Sequence, residues 1–359
     1  MQIKKISITL LMILCLILTL SACGNTEPNT NNTTKPAGLP KYSIGVSMSY
    51  ENEFYRQLLQ GFNDAISDNF TDNNVTVNTL VADNINSTSD TIADNFIASN
   101  TSLIFTIGEG ALVSTHNKTG DIPIVASGVM DYQRVLNITS DKEWDKTTKM
   151  NITGVSCAPN ISDVLSMMIE ATPNIESVGI LYCPNDLDSA YQNHILEQYL
   201  DEAGIKWKEY EFYSADISNF AASEIISYAC AESSVLFIPA ESSLISKMDI
   251  IKQEALIHNT PTVGGDEYIG ANTLVSIYHD PYDAGYQAGE MAYEILVTNQ
   301  KPGNMAIADN TYTAEQKLYT GDISNAMGYT FPKSFRELSE FLSTYKMGSK
   351  TERDNQEQK

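Results

Sequence analysis

The chain has 359 residues and a hydrophobic fraction of 42%, enough for two domains of ordinary size with real cores. A formal net charge of -23 and a pI of about 4.4 oppose binding to phosphate backbones, so nucleic acid is excluded as an expected partner. Beyond Cys15 and Cys23 stand Cys157, Cys183 and Cys230, an odd set that cannot pair completely. They read as small buried apolar residues, with one disulfide open but not favoured.

The first element in chain order is a secretory leader. Lys4 and Lys5 form a basic n-region, Ile6 to Leu20 is almost continuously apolar, and small residues precede Cys23. The run is short for the ~20 residues of a spanning helix. Its ending, Leu20-Ser21-Ala22-Cys23, resembles the bacterial lipobox. That resemblance implies loss of the preceding residues and acylation of Cys23, and two or more acyl chains anchor stably. Residues 1–23 are therefore expected to be a lipoprotein signal peptide ending at lipidated Cys23. Residues 24–40, rich in Asn, Thr and Pro, read as a flexible tether. Residues 346–359 form a polar tail expected to be disordered.

Between these ends, strand and helix patterns alternate. Tyr42-Ser47 reads as a strand, Glu53-Asn69 as a helix, Val75-Val81 as a strand and Thr91-Ser99 as a helix. Leu103-Thr106 is a strand, Gly110-Lys118 a helix and Ile122-Ala126 a strand. The pattern then restarts. Ile161-Ala171 is a helix, Ser177-Tyr182 a strand, Ser189-Ala203 a helix closed by Gly204, and Lys206-Tyr213 a strand. Asn219-Ala229 (helix), Val235-Pro239 (strand), Ser243-His258 (helix), Pro261-Gly264 and Leu274-Ile277 (strands) follow, then a long helix over Tyr282-Val297. This order implies α/β architecture: two doubly wound parallel-sheet lobes facing each other across a hinge. Ligands of such sheets bind beyond the carboxyl ends of the strands. The loops to watch are Ser47-Asn52, Gly108-Gly110, Gly128-Tyr132, Pro184-Ser189, Ala240-Ser243 and Gly264-Tyr268.

Enzyme motifs are scarce. The chain has no His-Glu-x-x-His, Gly-x-Ser-x-Gly or Walker A sequence, and its four histidines, His116, His194, His258 and His279, lie outside ligand-like spacing. No metal, cofactor or catalytic residue is expected. Gly108-Glu109-Gly110 reads as a tight loop opening a helix, not as a dinucleotide site. Asp188 or Ser189 either caps a helix or helps bind a ligand carboxylate, and Glu241-Ser242-Ser243 carries the same pair of readings. Gly264-Gly265 permits close backbone approach, and Asp266 stands ready for a cation. The only arginines are Arg56, Arg134, Arg336 and Arg353, so no arginine clamp on a carboxylate is evident.

Five segments occur in order that resemble a known family: "NITGVS" (Asn151-Ser156), "VGILYCPNDLDS" (Val178-Ser189), "LFIPAESSLIS" (Leu236-Ser246), "PTVGGDE" (Pro261-Glu267) and "YDAGYQAGEMAYEIL" (Tyr282-Leu296). They look like the substrate-binding lipoproteins of ABC importers related to the tryptophan/tyrosine-binding type. "GDIPIVASGVMD" (Gly120-Asp131) and "NAMGYTFPKSF" (Asn325-Phe335) also fit. The resemblance spans roughly Tyr42 to Leu342 and implies a type I periplasmic-binding-protein fold with three crossovers. It places the first lobe at 41–152 plus about 280–300, and the second at 153–279 plus about 301–345. The family's usual Ser-Glu-x-Asn-Ser is here Asn185-Asp186-Leu187-Asp188-Ser189, its Asp-Asn-Thr is Glu241-Ser242-Ser243, its Glu-His-Pro loop is Tyr50-Glu51-Asn52-Glu53, and the proline after its Asp is Tyr132. Ser189, Asp131 and Asp266 carry over best.

The expected ligand-binding set is Ser49, Tyr50, Glu109, Gly110, Met130, Asp131, Asn185, Asp188, Ser189, Glu241, Ser242, Gly265 and Asp266. Tyr50, Phe54 and Tyr132 are candidates for stacking. The function implied is non-enzymatic capture of a small molecule, with an amino acid the first candidate. Its implied partners are an ABC permease, that permease's ATPase subunits, and the membrane through the lipid anchor, the body being monomeric at the outer face of the cytoplasmic membrane. A sensory lipoprotein and a surface hydrolase stand as alternatives.

Overall fold

The computed structural model describes residues 42–70, 74–139, 144–213, 216–240, 242–310 and 316–345. Cys23, the leader, the tether, the tail and Glu241 lie outside the described residues, as does the side chain of Ser242.

One sheet is built from β1 (Tyr42–Met48), β2 (Val75–Val81), β3 (Leu103–Ile107), β4 (Ile124–Val129), β5 (Ile152–Ser156) and the two-residue β11 (Ala308–Asp309). Its order is β11-β5-β4-β3-β1-β2, with every pairing parallel. The other sheet holds β6 (Ser177–Tyr182), β7 (Lys206–Glu211), β8 (Val235–Ile238), β9 (Thr262–Gly264), β10 (Val275–Tyr278), β12 (Gln316–Tyr319) and β13 (Phe335–Glu337). Its order is β13-β12-β10-β9-β8-β6-β7, parallel except where β12 runs against β10. Two doubly wound α/β lobes are thus present, as the sequence implies.

In the first lobe, α1 (Glu53–Asn69) turns Tyr55, Leu58, Phe62 and Ile66 inward at helical spacing. They meet Ile44, Val46 and Phe105 of the sheet, and Phe62 stacks on Phe105 with ring centroids 4.1 Å apart. α2 (Asn86–Ala98) and α3 (Glu109–Lys118) follow β2 and β3, and Ile92 and Phe96 of α2 pack with Ile104 of β3. A short α4 (Tyr132–Val135) follows β4.

In the second lobe, α5 (Ile161–Ala171) and α6 (Leu187–Ala203) share a core with Val178, Ile180 and Phe237. α7 (Asn219–Glu232) and α8 (Met248–His258) share another with Leu181, Leu236 and Ile238. Consecutive strand residues therefore feed opposite faces, as period-two alternation demands. α6 ends on Gly204 at φ 68, the left-handed position glycine favours. A 3-10 turn (Ser242–Lys247) precedes α8, and a four-residue α9 (Glu267–Gly270) follows β9, where the sequence suggests one long helix and a loop. α11 (Gly321–Met327) and α12 (Leu338–Thr344) complete this side.

The chain passes between sheets after β5, between β10 and α10 (Pro281–Thr298), and between β11 and β12. α10 returns to the first lobe, where Ala284, Ala288, Ala292 and Ile295 join its core. Its backbone lies directly on α1. A Cβ on Gly285 would stand 2.0 Å from the Leu58 carbonyl oxygen, and one on Gly61 2.0 Å from that of Tyr282. The sheets divide the chain differently from the expected boundaries. Ile152–Ser156 pairs with β4, and Ala308–Asp309 pairs with β5, so both segments belong to the first sheet.

Candidate ligand-binding site

Both sheets place their strand order reversal at the same point: β1 lies between β2 and β3, and β6 between β7 and β8. Loops leaving the strands at such a point diverge and open a crevice. A cleft of about 300 Å³ lies there. The first lobe lines it with Tyr50, Phe54 and Tyr55, together with Gly128 and Met130. The second contributes Asp186, Asp188, Ala240, Ile245, Asp266 and Ile269. Cys157, at the first crossing, forms part of its floor.

The aromatic wall is a short relay. Tyr50 and Tyr55 have ring centroids 4.8 Å apart, and Phe54 and Tyr55 5.9 Å apart. Tyr50 follows β1, and Phe54 and Tyr55 occupy the first turn of α1, whose cap Asn52 accepts the Tyr55 N–H at 2.7 Å. Tyr132, a stacking candidate, is instead a core residue. It is 2% exposed, and its hydroxyl donates to the carbonyls of Ala126 and Val155. Its body closes the layer beneath β4 and cannot reach a ligand.

The second-lobe wall is set by helix caps. Asp186 has extended backbone and accepts the N–H groups of Asp188 and Ser189 at 3.1 and 3.2 Å. It is therefore Asp186 that caps α6, not Asp188 or Ser189. Ser189 is fully buried and stands off the cleft surface. A ligand carboxylate at this helix end would face Asp186 first, which removes the role given to the Ser189 hydroxyl. Asp266 does line the cleft, and caps α9 by accepting the Ile269 N–H at 2.8 Å.

Arg134 joins the walls. Its Nη2 donates to Glu109 Oε1 and, across the cleft, to Asp188 Oδ1 at 3.1 Å, while Nε stands 3.8 Å from Asp131 Oδ2. One guanidinium thus faces three carboxylates. Asp131 also caps α4, accepting the Arg134 N–H at 3.0 Å. The Asp188 carboxyl is pushed up to about 7, chiefly by burial and then by Glu109, against the pull of Arg134. A second contact bridges the lobes, from Gln192 Nε2 to Met130 Sδ at 3.6 Å.

Of the expected residues, the structure brings Tyr50, Met130, Asp188 and Asp266 to the cleft surface, with Glu109 and Asp131 just behind, through Arg134. Ser49 supports from beneath, its hydroxyl accepting the Ala111 N–H at 2.9 Å, and Gly110 stands over it. Gly265 is buried, and a Cβ there would meet the Ala240 nitrogen at 2.5 Å. Asn185 points away, donating to the Tyr213 carbonyl at 3.4 Å. Arg134, Gln192, Asp186, Tyr55 and Cys157 were not expected. An arginine three residues after Asp131, at the end of a strand, is a legible signal for the first of them. The Cys157 thiol accepts the Gly128 N–H at 3.2 Å, and burial pushes its pKa up, so it remains a thiol and not a nucleophilic thiolate. Cys157 and Cys230 are free thiols.

Two α/β lobes, three crossings and a cleft at facing switch points define a two-lobed ligand-binding protein. Residues 43–314 match the family model of the ABC transporter substrate binding protein, and the chain belongs to that family. It is 26% identical over 283 residues to a tyrosine-binding protein of Clostridioides difficile (strain R20291), covering 77% of this chain and 79% of that one. Its fold is similar to a ligand-free, open substrate-binding protein with adhesive properties from Clostridium difficile. That likeness has a TM-score of 0.72 and 23% identity, over 82% of this chain and 99% of the other. It is also similar to an ABC domain in complex with L-Trp from Streptococcus pneumonia, with a TM-score of 0.64 and 18% identity, over 82% and 97% of the two chains.

Proposed function

We propose that this protein is the solute receptor of an ABC importer, an extracytoplasmic lipoprotein that captures an amino acid with an aromatic or apolar side chain. The observation that carries this reading is the cleft of about 300 Å³ between two lobes, with Tyr50, Phe54 and Tyr55 on one wall and carboxylates on the other. That volume suits one small ligand, and the rings supply apolar contact area with few rotatable bonds. The C. difficile relative, named as tyrosine-binding, and the structural neighbour that holds L-Trp agree with the choice. The receptor closes on its ligand and presents it to a membrane permease driven by ATPase subunits, in the manner of hinge closure. The chain is not an enzyme in this reading: the described cleft pairs no nucleophile with a base. Residues 1–23 act as the signal peptide, Cys23 carries the lipid, 24–40 tether the body, and the body is monomeric.

A thermal-shift screen of the standard amino acids tests the ligand class. Aromatic residues are expected to raise the melting temperature, because a ligand favours the native state by RT ln(1 + [L]/Kd). A screen without a hit contradicts the amino-acid assignment. Cys23→Ala is expected to release the body or leave uncleaved precursor. Unchanged lipid labelling and membrane retention of that variant contradict the anchor.

A further inference from the structure

We propose that Tyr345 is a strap across the hinge, holding the two lobes in the conformation in which the cleft walls touch, through its hydroxyl on Asp280 at the start of α10. This rests on the lobes closing over the cleft and is independent of what the cleft binds.

The donor belongs to the second lobe. α12 ends at Tyr345, whose backbone N–H donates to the Phe341 carbonyl at 2.8 Å. A spacing of four residues lays the Tyr345 ring beside Phe341, with centroids 4.9 Å apart. Tyr278, the last residue of β10, packs against both rings, at 4.9 Å from Phe341 and 5.2 Å from Tyr345. Leu318 of β12 and Leu338 complete this cluster. Ring and helix therefore move with the second sheet.

The acceptor belongs to the other side of the hinge. Asp280 lies on the second crossing and is 3% exposed. It caps α10, its Oδ1 accepting the Tyr282 N–H at 2.9 Å. α10 is seated in the first-lobe core, so the cap is fixed to that lobe. Tyr345 donates its hydroxyl to Oδ2 of the same carboxylate. The third crossing joins at this residue too, where Asn310 Nδ2 donates to the Asp280 carbonyl at 2.7 Å. One buried aspartate thus gathers the second crossing, the third crossing, the first lobe's returning helix and the second lobe's terminal helix.

That placement makes the bond sensitive to the angle between the lobes. The walls touch while it is formed: Arg134 reaches Asp188 at 3.1 Å, and Gln192 reaches Met130 at 3.6 Å. Parting the walls turns the second lobe about the crossings and carries Tyr345 with it, while Asp280 stays with α10. An O–H···O bond keeps its strength over a window of only about 0.5 Å, so rotation of the lobes breaks it. Asp280 is a buried carboxylate, and loss of a donor there is costly. The bond therefore tips the balance toward the closed form, and it does so at the hinge, outside the cleft lining.

Population arithmetic sets the signature. A ligand that binds the closed form has an apparent Kd equal to its intrinsic Kd divided by the closed fraction. Losing the strap must then weaken every ligand by the same factor.

Tyr345→Phe in the full chain tests this, since it keeps the ring in its cluster and removes only the hydroxyl. Without ligand, scattering should give a larger radius of gyration than for the wild type. Calorimetric affinities for L-tyrosine, L-tryptophan and L-phenylalanine should all fall by one common factor, between about twofold and tenfold, with their ratios preserved. At saturating ligand the radii of the two proteins should coincide. An unchanged ligand-free radius overturns the proposal, and with a lowered melting temperature it shows a hydroxyl that only stabilises the fold. A smaller radius, or losses that differ among the three ligands, also overturns it. If none of the three binds the wild type, the amino-acid assignment of the preceding section falls, and the ligand-free radius alone decides the strap.

Discussion

The first lobe orders its strands β2-β1-β3-β4-β5 and the second repeats this as β7-β6-β8-β9-β10, yet corresponding helices meet the cleft with different chemistry. The helix after the first strand is capped by the neutral Asn52 in one lobe and by Asp186 in the other. The first turn of that helix carries Phe54 and Tyr55 in the first lobe, and Asp188 beside the buried Ser189 in the second. The aromatic rings thus cluster on the first-lobe wall, while Asp186, Asp188 and Asp266 gather on the second beside Ala240, Ile245 and Ile269. The same backbone arrangement therefore presents different side chains to the two sides of one cleft. The lobes also differ in how they are closed. The first borrows α10 from beyond the second lobe and seats it on α1 through Gly61 and Gly285.

That borrowed helix is where the comparison breaks most violently. Gly285→Ala places a methyl within the Leu58 carbonyl, and neither backbone can yield without moving a helix. We expect a loss of about 3 kcal/mol or more, an overpacking cost at its upper end, read as a lower denaturant midpoint. Gly204→Ala, at the end of α6 with open space around it, should cost only ~1 kcal/mol through its left-handed backbone.

His279, on the second crossing, gives the next largest effect. Burial pushes its pKa down to about 4, so it folds as the neutral imidazole. Its depressed value means stability is present above the unfolded pKa near 6.5 and lost as pH falls toward 4, by about 3 kcal/mol at full protonation. His279→Gln should flatten the pH profile of stability across that window. An equally steep acid limb in the variant contradicts the assignment.

Wall chemistry comes next. Tyr50→Ala and Phe54→Ala should each weaken an aromatic ligand by about tenfold through lost ring contact, and leave an aliphatic amine far less affected. Tyr50 is exposed, so its unfolding midpoint should hardly move, whereas Phe54 packs against the edge of the first-lobe core and its loss should lower the midpoint modestly. Equal losses for aromatic and aliphatic ligands would mean the rings shape the cleft and do not contact the ligand.

The smallest effect belongs to the bridge between walls. The Arg134–Asp188 pair is about one-third exposed on each side and contributes at most ~1 kcal/mol. Arg134→Gln should leave stability almost unchanged while raising the population of open molecules, seen as a larger radius of gyration in scattering without ligand. An unchanged profile would mean that the Arg134–Asp188 pair does not hold the lobes together.

Most of the scaffold is legible in the sequence because alternation and helical spacing are strong there. Glu53–Asn69, Val75–Val81, Ile161–Ala171 and Ser177–Tyr182 coincide with elements read from the residues alone. The region after Thr298 is not, since β11, β12 and β13 are strands of two to four residues whose partners lie far away in sequence. The site was half legible. Strand-end loops locate Tyr50, Met130, Asp188 and Asp266. Which of Asp186, Asp188 and Ser189 caps α6 depends on where the helix begins, and a start two residues earlier, at Leu187, puts Ser189 inside the first turn as a buried hydroxyl. Tyr132 shows the same limit: nothing local tells a ring at a strand end that faces the core from one that faces the cleft. The place of Arg134 after Asp131 is visible in the sequence, but its pairing is a product of tertiary structure, because Glu109 and Asp188 reach it from two lobes.

A crystal structure with a bound aromatic amino acid tests the central claim most directly. The account predicts one ligand between the lobes, its ring against Tyr50, Phe54 and Tyr55. A ligand bound outside the cleft, or one whose side chain lies away from these rings, would contradict it.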